Sequence, residues 1–143
     1  MPRPAPTLLD PARYPYRCEV EPRFRDLDTN LHINNGAMAS LLEEGRVRFY
    51  RDGGGGSVAG IQTTMVVSLG IEFIGEGRYP DPLEMHVAIT KVGRTSYDLV
   101  QLITQRGRPV VFASVTLVCV TDGKPFEMAP PYRESLEAWM LRG

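Results

Sequence analysis

Cysteine and histidine are scarce in this sequence, at two residues each, and neither pair has metal-ligand spacing, which argues against a zinc-organised fold. Cys18 and Cys119 both fall in apolar, strand-like runs, so buried free thiols in a reducing, cytoplasmic setting are expected. No stretch reaches the roughly 18 consecutive apolar residues that would span a bilayer. The proline-rich run 1–15 lacks the apolar segment of a secretory leader and reads as an extended N-terminal arm. Neither sign of charge dominates: 16 Lys and Arg stand against 17 Asp and Glu, which gives nucleic acid or an anionic membrane no broad basic surface to bind.

What remains is a chain of 143 residues, the size of one domain, able to bury roughly 68% of the surface it exposes when unfolded. Residues 16–143 are read as that single domain. Its most unusual stretch is 24–46, FRDLDTNLHINNGAMASLLEEGR, where Asp26, Asp28, Asn30, His32, Asn34 and Asn35 fall within ten positions just before a helical pattern. Each such group costs kilocalories if buried without a partner, so this density suits a site better than a core. Asn34 or Asn35 is a natural helix N-cap, and Gly36 admits close backbone approach. The helix start then presents free N–H groups and the positive end of its peptide dipoles, which a carbonyl oxygen gaining charge in acyl transfer requires. A neighbouring carboxylate such as Asp28 would activate water or attack the carbonyl itself. The plainer reading is an Asx-rich loop whose side chains cap the helix and satisfy their own turns.

In the helix, Met38, Leu41, Leu42, Gly45 and Phe49 form one apolar stripe. Gly45 costs about 1 kcal/mol relative to alanine there, so it marks a place where a strand passes close. Arg46, Arg48 and Arg51 fall beside or opposite the stripe, on a face expected to be solvated. Asp52 is followed by four glycines and Ser57 without the Gly-Lys-Ser/Thr of a phosphate loop, so the run reads as a flexible connector. Strand patterns occupy 16–24 with Pro22 at an edge or bulge, 65–74 with Gly70 as a bulge, 83–90, 97–105 and 110–120. The last is apolar on both parities, as a central strand covered on both faces would be. His86 lies on the polar parity of its strand and is expected at the surface. Residues 134–141 suggest a short terminal helix anchored by Leu136 and Trp139. The economical packing is an α+β fold that wraps a curved antiparallel sheet round the long helix and buries the rest against a second copy.

The order Asp28-x-Asn30-x-His32-x-Asn34-Asn35, followed by a helix with Glu43-Glu44-x-Arg46, resembles the signature of the hot-dog-fold acyl-CoA thioesterases of the 4-hydroxybenzoyl-CoA and YbgC-like type. The run itself is also similar to that of plant acyl-carrier-protein thioesterases. The resemblance extends from about residue 16 to 120. It implies a hot-dog fold, with a curved antiparallel β-sheet around one long central α-helix, and a homodimer or dimer of dimers with its site between subunits. It also implies hydrolysis of acyl-CoA or acyl-carrier-protein thioesters in fatty acyl metabolism, with coenzyme A the favoured carrier and no metal or redox cofactor. By the same resemblance Asp28 is the catalytic carboxylate, and Asn30 and His32 position water or the thioester carbonyl. Glu43 would orient them or act across the interface, with Arg46 as its partner, although the plant pattern aligns its acid with Glu44. Asn35 and Gly36 would hold the oxyanion. Arg94, Thr95 and Ser96 would lie near the pantetheine or nucleotide phosphates, unless they form only a polar hairpin turn.

Two positions depart from that pattern. Leu31 stands where the acyl-CoA branch has glycine, which bears on the local backbone. Met38 stands where it has tyrosine, and with Leu42 it points to an apolar pocket for a fatty tail. Two rivals share the fold: a hydroxyacyl dehydratase and a non-catalytic acyl-binding or regulatory protein. Enoyl formation, thiol release, or binding without release tell the three apart.

Overall fold

The computed structural model describes residues 4–53 and 63–143. Strand β1 (Tyr16–Val20) leads through the polar loop into helix α1 (Asn35–Asp52). Strands β2 (Thr63–Phe73), β3 (Leu83–Val92), β4 (Ser96–Gln105) and β5 (Arg108–Thr121) follow, then a two-residue strand β6 (Lys124–Pro125) and helix α2 (Pro130–Glu137). Strand segments joined by tight turns favour antiparallel pairing, and the sheet is antiparallel throughout, in the order β1-β3-β4-β5-β2 with β6 on β5. At the β4–β5 turn Arg106 and Gly107 both take positive φ, 51° and 76°, the two-residue geometry that matches the twist of a hairpin. β5 lies inside the sheet, between β4 and β2, in keeping with its apolar character on both parities.

One face of the sheet receives α1. Met38, Leu41, Leu42, Gly45 and Phe49 are buried there, as their spacing predicts, in one core with Val87, Leu99 and Val115. Gly45 is a point of close approach: a Cβ there would stand 2.6 Å from the Met85 side chain of β3. Arg46 departs from expectation, being only 6% exposed. It donates to Gln101 Oε1 at 3.0 Å, while Gln101 Nε2 donates to the Leu42 carbonyl at 2.9 Å. β4 runs under that flank of the helix, so an amide takes the place of water around the guanidinium.

The opposite face is covered in part by the chain's two ends. Pro6–Leu9 and Pro11–Arg13 form 3-10 turns, so the arm is folded rather than extended. Leu8, Leu9 and Leu141 pack on a second apolar cluster that includes Tyr14, Ala88 and Phe112. His86 lies under this cover, 3% exposed and not at the surface. It meets Thr104 Oγ1 at 3.1 Å and tilts against the Tyr14 ring with centroids 6.0 Å apart. Its parity does place it away from α1; strand patterning has no means of registering that the arm covers that face.

β2 forms one edge of the sheet with Met65, Val66, Val67, Leu69 and Phe73 exposed. Its irregularity falls between Val66 and Ser68, not at Gly70, which pairs in register with Ser114. β1 ends at Val20, ahead of Pro22, because proline has no N–H to give a ladder. α2 starts earlier than the pattern over 134–141 suggests, since Pro130 and Pro131 fit a first turn whose N–H groups lack acceptors anyway. Leu136 is buried, and Trp139, just past the helix, sets its ring edge-on to Tyr16 and Phe49. Gly53 closes α1 with its N–H on the Phe49 carbonyl; the rest of the glycine run and Ser57 lie outside the described residues. Cys18 is half-buried, Cys119 is buried, and both are free thiols. No helix among the described residues is long and apolar enough to cross a membrane.

Candidate active site

The polar run folds into a short hairpin. Leu27 and Ile33 form an isolated antiparallel bridge, Asp28 N–H donates to the His32 carbonyl at 2.9 Å, and Leu31 N–H to the Asp28 carbonyl at 3.0 Å. A three-residue turn of this kind ends on a residue in the left-handed region, usually glycine. Here that residue is Leu31, with φ 61°. The backbone a glycine would adopt is kept with leucine in its place, at a cost of about 1–2 kcal/mol for an L residue. Its side chain is 69% exposed.

Asp28 opens the turn. Its Oδ1 accepts from the backbone N–H groups of Asn30 at 2.9 Å and His32 at 3.2 Å, as Asx side chains do. Its Oδ2 has no hydrogen-bond partner among the described residues, and the side chain is half-buried. One carboxylate oxygen is therefore fixed by the turn and the other is not. His32, also half-buried, sets Nε2 3.1 Å from Glu76 Oε2. A carboxylate only accepts, so Nε2 carries the proton, and in the neutral ring Nδ1 is left as an acceptor. Asn30 contributes its backbone to the turn, and its side chain is exposed.

At the helix start Asn34 is the N-cap, its Oδ1 accepting from Gly36 N–H at 2.7 Å. The Gly36 amide, expected at the oxyanion, is thus committed to the cap, and Met38 N–H is committed to the Asn34 carbonyl at 2.9 Å. The amides of Asn35 and Ala37 have no acceptor among the described residues and are the donors this helix end still offers. The Met38 side chain is shut into the core against Ile33 and Gly77, because position 38 lies within the apolar stripe; Leu42 is enclosed likewise. Neither lines an open pocket within one chain.

The connection from β2 to β3, which by its Gly and Pro content reads only as a turn, supplies Glu76 and Arg78. Ile33 N–H donates to the Gly77 carbonyl at 2.9 Å, and His32 pairs with Arg78 as an isolated bridge. Both flanking glycines are close-packed: a Cβ on Gly75 would lie 2.9 Å from the Pro109 carbonyl, a backbone atom that cannot step aside, and one on Gly77 2.8 Å from the end of the Met38 side chain. An acid between two glycines was the available signal. A cavity of about 410 Å³ opens beside it, lined in part by Glu76, Arg78, Asp81, Gln105, Arg106 and Arg108. Gln105 braces this wall, accepting from Arg78 N–H at 2.9 Å and donating to the carbonyls of Arg78 and Asp81.

On α1, Glu44 pairs with Arg48 at 2.9 Å, and Arg48 also reaches the Glu19 carbonyl of β1. Glu43 has no ion pair among the described residues, its expected partner Arg46 being held by Gln101. Glu43, Arg46 and Tyr50 share one flank of the helix. Tyr50 meets the Tyr97 hydroxyl of β4 at 3.2 Å, and burial pushes its own hydroxyl up to about 12. Arg46 and Tyr50 on this flank therefore face β4, the Arg48 flank faces β1, and Glu43 borders a surface cavity with Glu44 and with Glu21 and Arg23, which follow β1.

Arg94, Thr95 and Ser96 lie elsewhere, at the β3–β4 turn, where Gly93 N–H donates to the Ser96 carbonyl at 2.7 Å. From Ser96 to Gln105, which braces Arg78, an extended strand covers about 30 Å. One chain thus brings Asp28, Asn30, His32, Asn35 and Gly36 together with Glu76, and leaves 94–96 at the far end. Among the described residues no group of three His, Cys, Asp or Glu is placed to share a metal ion.

Residues 22–140 match the family model of the thioesterase-like superfamily. The chain belongs to that superfamily. Its sheet curled about one long helix is the hot-dog fold. A thioesterase of Thermus thermophilus, solved with coenzyme A and zinc, superposes with a TM-score of 0.79 at 25% identity, over 88% of this chain and 94% of its own. The probable thioesterase YbaW of Escherichia coli gives 0.76 at 24%, over 87% of this chain and 98% of its own. The DHNA-CoA thioesterase of Staphylococcus aureus gives 0.75 at 19%, over 85% and 88%. Among curated proteins none matches this chain. Membership of the thioesterase-like superfamily supports thioester hydrolysis as the general chemistry.

Proposed function

We propose that this protein hydrolyses acyl thioesters, of coenzyme A or of a carrier protein, to the free acid and thiol, with Asp28 as general base or nucleophile. The observation that carries this reading is the asymmetry of the Asp28 carboxylate, whose Oδ1 is anchored by two backbone N–H groups while Oδ2 is unpartnered among the described residues. As a base, Oδ2 takes a proton from water as the water oxygen bonds the thioester carbon. The carbonyl becomes an oxyanion facing the Asn35 and Ala37 amides, then the carbon–sulfur bond breaks and the proton passes to the departing thiolate. As a nucleophile, Oδ2 itself bonds that carbon and expels the thiolate, and water then cleaves the anhydride. His32, oriented by Glu76, would position the water or the carbonyl.

The exposed apolar edge of β2 is the natural seat of a second copy, since a long unpaired strand edge otherwise invites unspecific pairing. If two β2 strands pair antiparallel about a two-fold axis, the Thr63 end of one abuts the Phe73 end of the other. The partner's Arg94, Thr95 and Ser96 then come to the Asp28 end of this chain. A screen of acyl-CoA and acyl-carrier-protein esters for thiol release tests the reading. Release by the parent chain that falls at least about a hundredfold in Asp28→Asn is expected; undiminished turnover in that variant removes Asp28 from the chemistry.

One observation favours a second reading. Asp28 Oδ1 and the Gly36 amide are both satisfied inside the loop, as a purely structural Asx turn would have them. A non-catalytic acyl-binding protein would then bind the same esters saturably and release no thiol.

A further inference from the structure

Arg46 is 6% exposed within one chain, and assembly with other copies can only cover it further. Its Nη1 donates to a neutral acceptor, Gln101 Oε1, and its remaining N–H groups meet no acceptor among the described residues. Every Asp and Glu of the sequence lies among those residues, and none pairs with it. Of the two acids in the preceding turn of α1, Glu44 is held by Arg48, and Glu43 borders a surface cavity on the outer side of the helix. A guanidinium taken out of water and left without a counter-charge is strongly destabilising. The charge therefore requires an anion that this chain's own acids do not supply.

Its place on the helix narrows what that anion belongs to. Asn35, Ala39, Arg46 and Tyr50 follow one another along a single flank of α1. Asn35, whose amide has no acceptor among the described residues, opens the helix beside the Asp28 turn, and Arg46 stands about 16 Å further along the axis at 1.5 Å per residue. Ala39 keeps the flank between them low. Tyr50, one turn beyond Arg46, accepts from the Tyr97 hydroxyl at 3.2 Å, so its own O–H remains to donate. Burial keeps that hydroxyl protonated, its pKa pushed up to about 12. Arg46 and Tyr50 thus offer a cation and a neutral donor side by side, in line with the amide at the helix start.

We propose that Arg46 and Tyr50 determine specificity by binding a carboxylate at the far end of the acyl group, so that the preferred substrates are monothioesters of dicarboxylic acids. The proposal rests on the hydrolase reading for the position of the thioester. With the carbonyl at the Asn35 and Ala37 amides and the acyl chain laid along the flank, its distal acid falls at Arg46. A free anion would meet the charge and make no use of the alignment with the helix start; an acyl group with an acid at its end uses both. Gln101 is a positioning residue here, since it grips the guanidinium and is itself anchored by donating to the Leu42 carbonyl at 2.9 Å. A chain ending in a methyl group leaves the buried donors unpaired, which is how a polar pocket rejects an apolar analogue.

Titration calorimetry on the full chain tests this with S-alkyl pantetheine thioethers, which cannot be hydrolysed and carry the thiol portion common to coenzyme A and carrier proteins. Pairs matched in length end in a carboxylate or in a methyl group. At the length that spans the flank, the carboxylate is expected to bind at least about tenfold more tightly than the methyl, and shorter pairs should show no such difference. Arg46→Met fills similar space without charge, a replacement often neutral for folding, and should bring the two ends to equal affinity. Tyr50→Phe should reduce the preference by several-fold. Circular dichroism checks that each variant is folded; should Arg46→Met not fold, the parent chain and Tyr50→Phe still decide the matter. No preference at any length in the parent, or binding of neither thioether, overturns the proposal, and a carboxylate of a second copy seated on Arg46 would give that result. An undiminished preference in folded Arg46→Met overturns it as well. Because thioethers need no turnover, a chain that shows the preference and releases thiol from no thioester would overturn the hydrolase reading alone.

Discussion

His32 Nε2 and Glu76 Oε2 stand 3.1 Å apart, which ties the turn ahead of α1 to the connection that follows β2. The contact gives the imidazole one orientation and one tautomer. Glu76→Ala should lower kcat for thioester hydrolysis by about tenfold with little change in KM, since it removes the acceptor that orients His32, and with it an exposed pair to Arg78, but no group that meets the reacting bond. Glu76→Gln, whose amide oxygen still accepts from Nε2–H, should lose less. Losses of equal size in the two variants would show that Glu76 acts by charge and not by orientation.

Asp28 separates activity from stability. Asp28→Asn keeps an oxygen acceptor for the Asn30 and His32 amides, so its denaturation midpoint should match the parent while hydrolysis collapses. Asp28→Ala strips both hydrogen bonds and should also cost about 1–3 kcal/mol in urea unfolding. A destabilised Asp28→Asn would mean that the turn depends on the charge.

Leu31→Gly removes a left-handed L residue. Relief of the backbone cost, offset in part by the entropy of glycine in the unfolded chain, should raise stability by up to about 1 kcal/mol with an unchanged m value. A destabilised variant would show that the exposed leucine side chain contributes more to folding than its conformation costs.

Burial lowers the His86 pKa below the ordinary histidine value of 6.5, and this outweighs the opposing pull of Glu84; nearby Arg17 lowers it further. The unfolded chain therefore binds protons at a higher pH than the native chain does. The stability His86 allows is complete above about pH 6.5 and is lost as pH falls through the lowered value. His86→Gln retains a partner for Thr104 and should show a shallower fall in Tm between about pH 7 and about pH 5 than the parent chain. Parallel Tm profiles would remove His86 from the acid sensitivity.

The β2 edge gives the oligomer its own test. Val67→Lys/Leu69→Lys places charge on an exposed apolar strand and should halve the mass seen by sedimentation if β2 joins two copies. Thioester hydrolysis should fall with it if the partner's 94–96 turn completes the site. A monomer with parental activity would confine the site to one chain.

Local pattern determined a good deal of this. The apolar stripe of α1, the close approach at Gly45 and the interior position of β5 were legible because helix and strand periods repeat within a few residues, and each asks only which side of its own element is apolar. The crowding of Asp28, Asn30 and His32 ahead of a capped helix was legible for the same reason. Tertiary structure decided the rest. Nothing in the order of residues says that the arm will cover His86, that Gln101 will hold Arg46, that Glu76 will reach His32, or that the 94–96 turn will lie a strand's length from Asp28. These depend on which elements meet after long loops close, and a polar side chain's surroundings are set by whatever arrives from distant sequence. A hydrophobicity pattern records only the preference of the residue that waits there.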